Sequence, residues 1–574
     1  MSQDDIRERF DLNRRQLVQS LGVAGVAGLA GCAGGGGDTT TTTGGEEDTP
    51  TPEDSTPTPA SADEVQMGGE LIATFGADVA NFDPTRANDT TSSKAFGLVY
   101  EPLMGTDFSG APQPVLDRRG EQKDEELAWR ATLREGVTFH NGDEMTAEDV
   151  KASWERYEGT PREADVYDWY DSSTIVDDYT IDFTLQNKYA PLKFALGGVP
   201  IVPKAVADGD IALKDDPIGT GPYVFDEHQP DTLFRIQRNE DYWFTGSDDM
   251  PEMPPIETIT FRIIVEQSAQ LAALQAGDVD MINTVPAASY QDLKDNEDFT
   301  VTERTAGGFD LLAFPMAVTP YDNAKVRRGV SRLIPRDAIV ESVYQGIGTP
   351  ATSPISPLAG QFTSPEFNQE MGDKYLGYDT EKAMTLLEEG FNEAGVEKPF
   401  QTKIITNENP QRVKWAQLIQ ESLNSTEYFE IELEQFEWNT YVGKILAEDS
   451  NQQNNLIAVG WSAGWDADAY IHNLFYSETF TPACCNIPHY KSEEVDSMIE
   501  QGLQTYDLEE RKQIYQDLME KVCEDAPITY IRFGKEMDAF RSDAVKGFQT
   551  YPINSGEFNG IYSPSASAFT YVDK

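Results

Sequence analysis

An α/β fold is what this sequence predicts, on three observations. Short segments rich in β-branched and aromatic residues, several of them alternating apolar with polar, are interleaved with segments of helical period that carry capping residues. From Met67 onward the chain runs for about five hundred residues, too long for one core and suited to two or three lobes. No recurring period signals a repeat array.

Ahead of that body, "NRRQLVQSLGVAGVAGLAGC" places Arg14 and Arg15 before an apolar run, 17–30, that is too short and too rich in small residues to span a bilayer. Residues 1–32 therefore read as a twin-arginine export signal. The run ends Leu29-Ala30-Gly31-Cys32, which resembles a lipobox and makes Cys32 the lipidated first residue of a mature chain held at the extracellular face of the membrane. Residues 33–66 are Gly, Thr, Pro and acid, cannot bury enough apolar surface to offset their chain entropy, and read as a disordered tether. Such a tether spans on the order of 30 Å. Its Thr-Pro pairs permit O-linked sugar.

In the body, strands are expected in "GELIATFG", "YTIDFTL", "LFRIQR", "ETITFRII", "FEIELEQF", "NLIAVGW" and "ITYIRF". The helix in "TAEDVKASWERY" has Thr146 as N-cap, Asp149 three residues on, and Val150, Trp154 and Tyr157 on one apolar face. "QSAQLAALQAG" should end at Gly277 and "TEKAMTLLEEG" at Gly390, each a glycine closing a helix C-terminus. "NPQRVKWAQLIQESL" buries Trp415, Leu418 and Ile419, and "DLEERKQIYQDLMEKV" opens on Asp507 and Glu510 as a capping pair.

The charge balance is 44 basic against 99 acidic residues, net −55, which excludes a nucleic-acid binder that tracks phosphates. Acid is spread along the whole chain, as on the solvated surface of a halophile. Cys32 aside, Cys484, Cys485 and Cys523 allow one disulfide, and because adjacent residues pair only with strain, Cys523 with Cys484 or Cys485 is the expected bridge. His140, His228, His472 and His489 show no ligand spacing, so neither a metal nor another cofactor is expected.

Read in order, "GGELIATFGADVANFDPTRANDTTSSKAFGLVYEPLM", "WRATLREGVTFHNGDEMTAEDVKASWER", "VPIVPK", "PIGTGPYVF", "RNEDYW", "LAALQAGDVDM", "AKVRRGVSRLIPRDAIV", "GWSAGWDADAY" and "DAPITYI" resemble the extracellular solute-binding proteins of family 5, receptors of dipeptide, oligopeptide and nickel ABC importers. The second segment carries most of the likeness, in Leu133, Arg134, Gly136, Phe139, His140, Gly142, Thr146, Ala147, Asp149 and Val150. The resemblance implies a periplasmic-binding-protein-like α/β fold of the three-domain, pear-shaped kind, two lobes about a hinge. The first lobe would comprise 68–105, 206–305 and 541–574 with an inserted domain at 106–205, and the second 306–540. It implies a non-enzymatic, monomeric receptor that closes on a peptide or other small solute and hands it to an ABC permease and its ATPase. A ligand that drives closure must touch both lobes. In that setting His140 is a hydrogen-bonded turn residue of the scaffold. Arg327 and Arg328 are helix-surface and packing residues before Val326, Val330 and Leu333, an anion-binding role being the weaker reading.

"GWSAGWDADAY" also contains G-x-S-x-G, the spelling of a serine hydrolase's nucleophile elbow. An elbow needs a helix to start at the serine and an acid and histidine in order downstream; Ser462 is followed instead by loop-like Ala463-Gly464-Trp465-Asp466. The preferred reading is a ligand-lining loop, with Trp461 and Trp465 as apolar faces, Ser462 and Asp466 as polar groups, and Trp438 nearby. From the first lobe, Asn88 to Ser93, with Asp89, Thr91 and Ser92, should reach the cleft. Peptide receptors of the family place an Asp, which holds the peptide's amino terminus, where Gly464 stands, and oligopeptide members a basic residue where Ala458 stands. Their absence here keeps a sugar or another hydroxyl-rich ligand beside a peptide.

Overall fold

The computed structural model describes residues 65–574 apart from 88, 123–126, 215 and 483–484. The export signal, Cys32 and almost all of the tether lie outside the described residues, as does Asn88.

Three sheets organise the chain. In the first, the order is Glu70–Phe75, Thr258–Ile263, Leu233–Arg238, Tyr223–Gln229, the opening pair parallel and the rest antiparallel. Their alternate residues Leu71, Ala73 and Phe75, Phe234 and Ile236, Ile259 and Phe261 turn to one face and make a shared core with Phe548, Phe558 and Ile561. The second sheet is antiparallel, Glu121–Gln122, Ala128–Thr132, Thr180–Leu185, Tyr170–Asp177, and it packs on helix Ala147–Glu155. That helix starts as its sequence dictates: Thr146 and Asp149 form a reciprocal capping box, and Val150, Trp154 and Tyr157 are buried beneath it. Burying a side chain such as Val150 contributes roughly 1.5–3 kcal/mol of transfer free energy.

The third sheet has seven strands in the order Met281–Ile282, Ile528–Arg541, Phe299–Ala313, Asn455–Ser462, Phe400–Asn407, Phe429–Phe436, with Thr349–Pro350 added beside Ile528–Arg541. Neighbouring residues of its strands enter different cores: Leu311, Ile405 and Ile457 on one face, Leu312, Ile404 and Leu456 on the other. Helices therefore cover both faces. Pro410–Asn424, with Trp415 and Ile419 fully buried, crosses between the parallel strands Phe400–Asn407 and Phe429–Phe436.

Phe299–Ala313 and Ile528–Arg541 are the longest strands among the described residues, and they are antiparallel partners at both ends, Phe299 opposite Arg541 and Ala313 opposite Ile528. Their register holds from Phe299 opposite Arg541 to Thr305 opposite Lys535, shifts, and resumes at Phe309 opposite Phe533. One end packs with Leu274, Val279 and Ile282, the other lies in the seven-stranded core. Gly307 sits in the interruption because a Cβ there would come 1.9 Å from the Ala463 carbonyl oxygen. The two strands thus run from the small core around Leu274 into the core of the seven-stranded sheet, with their ladder interrupted between.

Two sequence expectations are corrected. Helix Thr380–Ala394 runs through Gly390 and closes at Gly395, φ 66°. Gly390 serves close packing instead, since a Cβ there would meet Val326 at 2.6 Å across the helix pair. Cys523 is a free thiol on the buried face of helix Leu508–Asp525, so it does not bridge to Cys484 or Cys485; Cys485 is disulfide-bonded to a partner outside the described residues. Gly277 does close its helix in the left-handed conformation, φ 77°, and the Asp507 side chain accepts from Glu510 N at 2.9 Å.

Candidate functional site

A cavity of about 390 Å³ opens where strand Asn455–Ser462 ends. One wall is Gly464, Trp465, Asp466 and Ala469, from the loop after that strand and the first turn of helix Asp468–Phe475. The facing wall comes from the other side of the interrupted ladder: Ser93, Phe96 and Tyr100, then Lys193 and Phe194, then Tyr551 and Ile553. Its surface is largely aromatic rings and glycine backbone, the mixture that suits a ligand with apolar faces and hydrogen-bonding groups.

The loop is held from both sides. Tyr470 Oη donates to the Gly464 carbonyl at 2.9 Å, and Gln361 Nε2 to the Trp465 carbonyl at 3.4 Å. Trp465 itself is only 7 % exposed. Its ring packs against Gly110, φ 83°, where a Cβ would come within 2.2 Å of Cε3, and its Nε1 donates to Tyr551 Oη at 3.4 Å. Tyr551 Oη in turn hydrogen-bonds Thr106 Oγ1. Trp465 therefore reaches across the cleft. Two backbone contacts do likewise: Ala190 N donates to the Leu503 carbonyl at 2.7 Å and Tyr189 N to Tyr506 Oη at 3.3 Å.

Asp466 lines the cavity, yet both its carboxylate oxygens are engaged by Arg511, Oδ2 with Nη1 at 2.5 Å and Oδ1 with Nη2 at 2.7 Å. Both side chains are 6 % exposed. Burial disfavours the charge on Arg511, and the Asp466 carboxylate more than offsets it, raising the guanidinium above its ordinary value. Arg511 Nε spends its proton on the Gly502 carbonyl at 2.7 Å.

The other candidates fall in different places. Asp89 caps helix Thr90–Phe96, its oxygens accepting from Ser92 N at 2.8 Å and Ser92 Oγ at 2.7 Å, and Ser92 is fully buried, its Oγ accepting from Ala80 N at 3.1 Å. Thr91 is half-buried, and of this segment Ser93 lines the cavity. Trp461 is half-buried and donates from Nε1 to the Ala469 carbonyl at 3.1 Å. Trp438 is 51 % exposed at the start of helix Trp438–Ile445 and packs on Tyr441, away from the cavity lining. Sequence reasoning missed Tyr551, Phe194 and Lys193, which stand in no recognisable motif.

Ser462 is exposed, is the last residue of its strand and pairs with Gly308; five residues separate it from helix Asp468–Phe475, so the strand, serine and helix of an elbow are not contiguous. His140 holds backbone on both ring nitrogens, Nδ1 accepting from Gly219 N at 3.4 Å and Nε2 meeting the Gly221 carbonyl at 3.1 Å. Burial pushes it down to about 4, so it is a neutral scaffold residue at neutral pH. Among the described residues no group of His, Cys, Asp and Glu is placed to hold a metal ion, and no helix is long and apolar enough to cross a membrane.

The pattern described as bacterial extracellular solute-binding proteins, family 5 (middle), matches residues 111–482. The chain belongs to this family. Among its family 5 relatives, the glutathione-binding protein GsiB of Pectobacterium atrosepticum is 25 % identical over 502 residues, covering 86 % of this chain and 93 % of GsiB. The oligopeptide-binding protein AppA of Bacillus subtilis is 26 % identical over 521 residues, covering 86 % and 91 %. The solved structure of AppA with a nonapeptide superposes with a TM-score of 0.71, covering 89 % of this chain and all of that one. AgaA of A. tumefaciens R10, solved with agropinic acid, superposes at 0.70 with 20 % identity, covering 88 % and 99 %. The fold is that of the periplasmic binding proteins, a multi-domain α/β architecture, and the curated relatives are binding proteins rather than enzymes.

Proposed function

We propose that this protein is the receptor of an ABC importer, capturing a short peptide or peptide-like solute between two lobes and delivering it to a membrane permease. The observation that carries this is the cavity walled by Gly464, Trp465 and Asp466 on one side and Phe96, Phe194 and Tyr551 on the other, in a chain of family 5. At about 390 Å³ it lies at the small end of the roughly 300–1,000 Å³ usual for ligand pockets, which favours a ligand much shorter than the nonapeptide of AppA. The interrupted ladder after Thr305 supports a hinge near the 305/306 boundary drawn from the sequence. Export through the twin-arginine route, lipidation at Cys32, monomeric state and a halophile's surface complete the reading. Replacing Cys32 by Ser and fractionating cells tests the anchor: release from the membrane supports it, unchanged attachment refutes it.

A specific observation favours a second ligand class. Gly464 supplies no carboxylate, and the one beside it, Asp466, is committed to Arg511, so the loop offers no free acid to a ligand's ammonium. Lys193 is exposed in the opposite wall. A ligand bound by stacking, hydroxyl hydrogen bonds and one anionic group fits this lining, as would a sugar acid or a peptide with a blocked amino terminus. Calorimetry with a peptide and its amino-acetylated form separates the two: equal affinity supports the unanchored mode, and loss on acetylation refutes it.

A further inference from the structure

A second cavity, of about 250 Å³, lies on the body built on the seven-stranded sheet and shares no residue with the first. Four cations line it, Arg328, Arg332, Lys374 and Lys382, with Tyr375, and no carboxylate is part of its wall. In a chain of 99 acidic and 44 basic residues, four cations line this one concavity while the carboxylates that pair with two of them stand outside its wall. Three elements bring them together: helix Ala324–Ser331 with its following residue, the wide turn Gly372–Leu376, and the start of helix Thr380–Ala394.

The four are not equally free. Arg332 is buried and fixed, its Nη2 donating to the carbonyls of Asp373 and Lys374 at 3.2 and 2.7 Å and its Nη1 to that of Gly377 at 3.2 Å. Lys374 is shared between Glu370 at 2.6 Å and Glu520 at 3.1 Å, and Tyr375 Oη donates to Glu520 at 3.0 Å. Lys382 meets Asp379 at 3.2 Å. Arg328 differs: its Nε is buried and has no hydrogen-bond partner among the described residues. The Arg328 side chain is half-buried in the cavity wall and makes no ion pair among the described residues, so the open edge of its guanidinium is left to match two oxygens of an incoming oxyanion.

We propose that this cavity is a binding site for a small tetrahedral oxyanion of the phosphate or sulfate class, with Arg328 as the bidentate contact and Arg332, Lys374 and Lys382 supplying the positive field. The site is independent of the transport cleft and of what the cleft binds.

The test is calorimetric titration of the full chain with inorganic phosphate at constant high chloride. Wild type should bind at one saturable site. Arg328→Gln should weaken it by about tenfold or more, Arg328→Lys less, because lysine keeps the charge and loses the fork. Lys382→Gln, at a side chain 61 % exposed, changes the field without touching the core and should weaken binding with the fold intact. Lys193→Gln, in the cleft, should leave phosphate affinity unchanged. Absence of saturable binding, or binding equal to wild type in both Arg328→Gln and Lys382→Gln, overturns the assignment. Loss in Lys193→Gln alone would put the anion in the cleft and overturn it as well.

Discussion

Asp466 in the cavity wall and Arg511 behind it close a two-pronged, buried ion pair, with oxygen–nitrogen distances of 2.5 and 2.7 Å. The pair braces the loop that carries Gly464 and Trp465. Removing one partner leaves the other charged and buried, which costs about 3–5 kcal/mol. Asp466→Asn should therefore lower the free energy of urea unfolding by that order at fixed salt. A variant that unfolds like wild type while losing ligand would make Asp466 a ligand anchor instead.

Trp465 and Gly110 predict a defect in closure. Gly110→Ala forces a side chain into a left-handed backbone and into the indole ring, so the loop at 110 and the loop at 465 can no longer meet. Small-angle scattering of ligand-saturated protein should show a larger radius of gyration than wild type, with affinity lower by about tenfold, equivalent to 1.4 kcal/mol. Unchanged scattering and affinity would show that this contact does not govern closure.

Glu101 sets a pH dependence. Burial pushes its carboxyl up to about 7, despite hydrogen bonds donated by Tyr242 Oη at 2.6 Å, Trp243 Nε1 at 2.7 Å and Thr220 Oγ1 at 2.9 Å. Between the ordinary glutamate value and about 7 the native state then holds a proton that the unfolded chain has lost, so stability falls as pH rises through that window. Glu101→Gln should unfold with a shallower decline from about pH 4.5 to 7 than wild type. Parallel profiles would contradict the assignment.

Cys523 should be inert. Its thiol is fully buried and burial pushes it above the ordinary thiol value, so the reactive thiolate is suppressed. Iodoacetamide should leave Cys523 unmodified in native protein and alkylate it in denaturant, as read by peptide mass mapping.

Local signals were legible in the sequence where the physics is local. The Thr146–Asp149 capping box, the Gly277 cap and the buried faces of Trp154 and Trp415 follow from spacing alone. Gly390 misled because the same residue type that closes a helix also lets two helices touch, and only the position of Val326 distinguishes the roles. The strand Phe299–Ala313 is absent from the strands expected from the sequence; it carries Gly307 where the backbone at Ala463 approaches too closely for a side chain. At the site, the sequence singled out Gly464, Trp465 and Asp466. It could not reveal that Asp466 is claimed by a residue forty-five positions on, nor that Asp89 and Ser92 would be consumed in capping while Ser93 faces the cavity. Those are long-range or rotameric facts.

The central claim, a peptide-class solute held against Gly464 between the two walls, is tested most directly by mass spectrometry of the solute released from protein purified from its host, wild type beside Gly464→Phe. Gly464 has room for a Cβ, the nearest atom being Ile553 Cδ1 at 3.6 Å, so a phenyl ring there should fill the cavity without unfolding the chain. The account predicts a short peptide or peptide-like solute from wild type and none from the folded variant. A solute of another class from wild type, or the same solute retained by Gly464→Phe, would contradict it.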